Sequence, residues 1–198
     1  MKSNICKIEK GTRDLEAILK ESERVAAYNG LTHKQTLQLR LLCEELDGML
    51  PNLVDEFDGN LWIDFEDGVC KVNVSVTIPE FNSTKREELI GLAKNKKNAA
   101  AVGIVGKIRA ALECIFLSEE VVDAFGVSAD TFHFATGYSC GVEYAYLWTL
   151  EKYKETVQQE QSAEWDELEK SVIASVADDV IVGVKGKQAD IILVKKFS

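Results

Sequence analysis

The chain has 198 residues, 46% of them hydrophobic and only two prolines, which suits one domain with a well-buried core and an elaboration rather than two domains. Thirty-three acidic against twenty-three basic residues give a net charge of −10, a balance that disfavours attraction to nucleic-acid phosphates or to anionic lipid. Five cysteines, Cys6, Cys43, Cys70, Cys114 and Cys140, are odd in number and hold no CxxC pair, so neither a disulfide framework nor a zinc site is indicated.

These thiols read as reduced, in a soluble cytoplasmic protein of bacterial type. Lys2 and Lys7 near the N-terminus precede no apolar h-region, which argues against a secretory signal. The most apolar stretches, 99–117 and 132–150, are interrupted by Lys107, Arg109 and Glu113 and by His133 and Glu143, and fall short of a membrane span.

In chain order, residues 4–10 alternate weakly and predict a first strand, and 14–28 carry helical spacing through Leu15, Ile18, Leu19 and Val25. Asn29-Gly30 stops that helix, because both residues tolerate the left-handed conformation. Thr32 with Gln35 forms a capping-box pattern, and the helix it opens buries Leu39, Leu42, Leu46, Met49 or Leu50, and Leu53 along one face. Leu61, Ile63 and Phe65, then Val72, Val74, Val76 and Ile78, alternate with polar neighbours about Asp67-Gly68, which predicts a hairpin ended by Pro79.

A charged segment, 83–97, reads as helix or loop, and 99–117 reads as a small-residue helix with Gly103 and Gly106 near its start. The elaboration, about 118–162, holds a helix from about Gly141 onward whose Tyr146, Leu150, Tyr153 and Val157 share a face. A last helix, about 163–177, leads into a second hairpin, 180–184 with 189–197, turned near Lys185-Gly186-Lys187. Strands in adjacent pairs with intervening helices predict an α/β fold, a two-layer sandwich on a mixed, largely antiparallel sheet, with 1–198 as one domain.

The run Leu41-Leu42-Cys43-Glu44-Glu45-Leu46-Asp47-Gly48-Met49, the strand pair, and Ala101-Val102-Gly103-Ile104-Val105-Gly106-Lys107-Ile108 together resemble the histidine-kinase-like ATPase superfamily, the GHKL or Bergerat fold. Its anti-sigma-factor serine kinases are closest in size and order. The resemblance spans roughly 31–112 plus the C-terminal hairpin. It implies ATP with Mg2+ as ligand, Glu45 as general base, Glu80 near the adenine, phosphates held by Gly103, Gly106 and Lys107, and 83–98 as a lid.

Two positions depart from the family pattern. Four residues after Glu45, where an asparagine would ligate magnesium, stands Met49, and a thioether is no substitute for a hard oxygen. The second strand ends Val76-Thr77-Ile78-Pro79-Glu80-Phe81-Asn82, without the family's Asp-x-Gly. The resemblance therefore implies a nucleotide-binding regulatory domain, with a noncatalytic protein-interaction or dimerisation protein on the same fold as the alternative. No metal ligands are assigned, and a protein partner or a homodimer is expected.

Two other motifs carry less. Gly137-Tyr138-Ser139-Cys140-Gly141 matches a GxSxG elbow, but His33 and His133 both precede the serine and the chain is short for that fold. A P-loop is excluded, since Ala101 takes the first glycine position and Ile108 replaces the magnesium-binding Ser/Thr. The aromatic run Phe132, Phe134, Tyr138, Tyr144, Tyr146 and Trp148 reads as core with an interface role for the elaboration.

Overall fold

The computed structural model describes residues 1–53, 56–77, 146–160, 171–185 and 187–197, together with Gly106, Ile108 and Leu112. Its elements are β1 (Cys6–Glu9), β2 (Thr12–Arg13), α1 (Leu15–Tyr28), α2 (His33–Leu53), β3 (Asp58–Glu66), β4 (Val69–Thr77), β5 (Tyr146–Thr149), α3 (Leu150–Glu160), α4 (Val172–Val176), β6 (Asp179–Lys185) and β7 (Gln188–Lys196). The strands form one sheet in the order β2-β1-β3-β4-β7-β6-β5. Every described pairing is antiparallel, so the parallel component of a mixed sheet is not found among these strands.

Local chemistry sets the helix ends. The Asp14 carboxylate accepts from Ala17 N at 2.9 Å, capping α1, and Gly30 at φ 66 lets Leu31 N return to Ala26 O at 3.0 Å. The capping box forms as the spacing predicts: Thr32 N donates to Gln35 Oε1 at 2.9 Å and Gln35 N to Thr32 Oγ1 at 3.4 Å. The β3–β4 turn has Asp67 at φ 50 and Gly68 at φ 77, the pair of left-handed residues that matches the twist of a two-residue hairpin.

Pleat then sorts the side chains. On β3 and β4, Leu61, Ile63 and Phe65 stand opposite Val74, Val72 and Cys70, and all six are buried. Ala189, Ile191 and Leu193 of β7 and Val180, Val182 and Val184 of β6 extend the same apolar plane. Ile18 and Val25 of α1, Leu39, Leu42, Leu46, Leu50 and Leu53 of α2, and Ile173 of α4 close over it as one continuous core. Val194 and Ile181, on the opposite pleat, are also buried but lie outside that core.

Two helical expectations are corrected. Tyr146–Thr149 is a strand, paired with Val184–Ile181 of β6, and α3 begins only at Leu150. Trp148 meets Tyr153 at 5.9 Å between ring centroids, an aromatic contact across the strand–helix junction. The last helix is likewise short among the described residues: Ser171 is extended and caps α4 through Ala174 N at 3.4 Å. Pro79, most of 99–117, the 118–145 part of the elaboration and the Ser139-Cys140 motif lie outside the described residues.

The β5 edge is tied down by a buried carboxylate. Asp179, 7% exposed, accepts from Glu151 N at 3.1 Å and Val180 N at 2.8 Å, which joins the start of α3 to the start of β6. Burial holds its carboxyl above the ordinary 3.8, with those two N–H donors opposing the shift. The folded protein thus binds this proton more tightly than the unfolded chain, so the residue's contribution is present below pH 3.8 and is lost as pH rises through the raised value. Urea titrations should find Asp179→Asn gaining stability relative to the parent between about pH 3 and pH 7; a pH-independent difference would refute this.

Gly59 pairs with both Ile8 and Val76, and a Cβ there would overlap the Ser75 carbonyl oxygen and come within 2.8 Å of Val76 Cα. Backbone is the obstacle, so no side-chain rotation relieves it. Gly59→Ala is expected to lose roughly 2 kcal/mol or more in urea unfolding, by the cost of overpacking.

Candidate functional site

The expected centre is α2, whose buried stripe fixes its rotation. Taking about 100° per residue, Arg40, Glu44 and Asp47 fall on one flank of the stripe, and Lys34, Gln38, Leu41, Glu45, Met49 and Asn52 on the other. The first flank faces α1: Arg40 Nη1 bonds Glu23 Oε1 at 2.6 Å and its Nε bonds Glu44 Oε1 at 3.2 Å. These contacts are solvent-exposed, so they orient the helix pair more than they stabilise it. Asp47 is only 5% exposed.

The second flank carries Glu45, which is half-buried. Gly106 lies in a helix and is half-buried, and Ile108 and Leu112 that follow it are buried in the same core as Leu46 and Met49. The helical residues Ile108 and Leu112 thus join the core to which α2 contributes. Glu80, Gly103 and Lys107 lie outside the described residues, so of the five expected site residues the structure describes Glu45 and Gly106.

Met49 decides the metal question on this flank. It is 3% exposed and packed into the core at the position, one turn from Glu45, where a magnesium ligand would stand. Magnesium takes oxygen donors in near-octahedral geometry, and a buried thioether offers none. The donor set does not fit the ion. Among the described residues no group of three or more His, Cys, Asp or Glu side chains is placed to hold a metal.

No protein-family model, curated protein or solved structure matches the chain. Its resemblance to a family thus rests on the sequence motifs alone. Among the described residues no helix is long and apolar enough to cross a membrane.

The opposite face of the sheet holds a polar cluster that motif reading missed. Trp62 Nε1 donates to Asp64 Oδ2 at 2.8 Å, Asn73 Nδ2 donates to the same oxygen at 3.1 Å, and Lys2 Nζ stands 4.9 Å from the Trp62 ring centroid. Beside it runs an open groove of about 560 Å³ between Lys2, Asp64, Glu66, Asp67, Val69 and Lys71. The available signal was parity: Trp62 and Asp64 share the polar side of β3, where a large aromatic is out of pattern.

The described cysteines are free thiols. Burial pushes Cys70 up to about 12 and raises Cys43 strongly, with neighbouring thiols adding to the latter; Cys6 is raised by burial and then by Glu21 and Asp14. Since the thiolate is the nucleophile, iodoacetamide at pH 8 should leave Cys43 and Cys70 unmodified in the folded protein and label both in urea, as read by peptide mass spectrometry. Labelling of either in the native state would contradict this burial.

Proposed function

We propose that the chain is a cytoplasmic regulatory domain of histidine-kinase-like ATPase type, which binds a nucleotide and does not carry out magnesium-dependent phosphotransfer. The observations that carry this reading are Glu45, half-exposed on one flank of α2, and Ile108 and Leu112, which follow the helical Gly106 and are buried in the core that α2 shares. The order of acidic helix, hairpin and glycine segment supports it, as does an antiparallel sheet with α1, α2 and α4 contributing to one core. On this reading Gly106, with Gly103 and Lys107, lines the ligand's phosphate end, Glu80 lies near its base, and Glu45 faces it from α2.

A second reading is favoured by Met49. Its burial in the core fills with an apolar side chain a position that a phosphate-binding pocket would keep polar, as in a noncatalytic interaction or dimerisation protein with nucleotide binding lost. Thermal melts separate the two. Titration with a panel of adenine and guanine nucleosides and nucleotides is expected to raise Tm progressively with the logarithm of ligand concentration, with about 2.7 kcal/mol of stabilisation at a hundredfold excess over Kd, and the effect should vanish in a folded Gly106→Val variant. No response in the folded parent, together with a dimer mass by light scattering, would overturn the first reading and establish the second.

A further inference from the structure

Asn29 is the one asparagine of the chain that a glycine follows, and Gly30 has no side chain to hinder its own backbone nitrogen. That nitrogen is a latent nucleophile toward the Asn29 side-chain amide. The Asp-Gly pairs of the chain place a carboxylate there instead, a poorer electrophile. Asn29 lies just past α1, is half-buried, and has φ −93 and ψ 7, which turns the Gly30 nitrogen away from Cγ. Two hydrogen bonds keep it so: Gly30 N donates to Ala27 O at 3.2 Å, and Asn29 Nδ2 donates to Val25 O at 2.8 Å. Gly30 is exposed at φ 66, with no neighbouring atom within 4 Å of where a Cβ would stand, so the turn has room to rearrange once those bonds open. Helix ends are where local opening costs least.

We infer that Asn29-Gly30 is a self-modification site, a deamidation site gated by the last turn of α1, whose products uncap that helix. This goes beyond the nucleotide reading and is independent of it. When the turn opens, Gly30 N attacks Asn29 Cγ: the N–Cγ bond forms, the Cγ–Nδ2 bond breaks, and ammonia leaves with the amide proton. Water then opens the five-membered imide at either carbonyl, giving aspartate or isoaspartate, and no other reactant is needed. Either product has lost the Nδ2 donor to Val25 O and gained a negative charge at the negative end of the helix dipole. Isoaspartate also adds a methylene to the main chain, which displaces Leu31, whose N–H returns to Ala26 O at 3.0 Å and whose half-buried side chain packs on the core. The Thr32-Gln35 box that opens α2 follows directly, so the α1–α2 hairpin loosens.

The test is prolonged incubation of the parent at pH 7 and at pH 8, folded and in guanidinium chloride, read by peptide mass spectrometry that separates aspartate from isoaspartate. The expected result is a gain of one dalton at Asn29 ahead of Asn4, Asn52, Asn60 and Asn73, faster at pH 8 because the deprotonated amide is the nucleophile, and about tenfold or more slower in the folded protein than in denaturant. Asn29→Asp, which reproduces one product, is expected to lower the urea midpoint, and the parent's own rates decide the gating whatever that variant does. Equal rates in the folded and unfolded protein, another of these asparagines converting first in the folded protein, no conversion at Asn29, or an Asn29→Asp midpoint equal to the parent's would each overturn the inference.

Discussion

The ladder between β3 and β4 governs the rest of the molecule. Its nine residue pairs, from Asp58 opposite Thr77 to Glu66 opposite Val69, put every apolar residue of both strands that meets the helices on a single face. A slip of one residue would turn Leu61, Ile63 and Phe65 to solvent and bring Trp62 and Asp64 inward, so the register is fixed by the whole buried face as well as by the Asp67-Gly68 turn. β7 then pairs along the full length of β4, and β6 and β5 follow. The resulting apolar plane is what α2 lies on, and the rotation of α2 follows from it.

That rotation has chemical consequences. With Leu42, Leu46, Leu50 and Leu53 turned to the sheet, Met49 is drawn into the core and Glu45 is left at its margin. Pro51, near the end of α2, lacks the N–H that would bond the Asp47 carbonyl and so loosens the last turn where the chain leaves toward β3. On the far side, Arg40 and its two glutamates hold α1 beside α2. Paired charge is thus placed between the helices, while the other flank carries Lys34 and Glu45.

The sheet's N-terminal edge is protected by irregularity. Lys2 faces Asp64 and Cys6 faces Leu61, so three residues on the first strand span two on β3, a bulge at Asn4-Ile5. Ser3 repairs the ladder there: its N–H donates to Ile63 O and its hydroxyl accepts from Ile63 N, both at 2.8 Å. A bent edge with Lys7 and Glu9 alongside is a poor template for another strand.

The sequence by itself determined the pieces whose signals are local. The α1 stop at Asn29-Gly30, the Thr32-Gln35 box, the leucine stripe of α2 and both hairpins were legible, because capping, turn conformation and periodicity act within a few residues. Tyr146–Thr149 was not: its helical spacing was outweighed by ladder partners in β6 about thirty-five residues later, and strand formation depends on partners that no local window contains. Likewise, sequence could name Glu45 and Met49 as one turn apart, but only packing decided that the methionine is core and the carboxylate marginal. Which flank of a helix meets the sheet is set by the sum of all buried contacts, and that sum exists only in the folded chain.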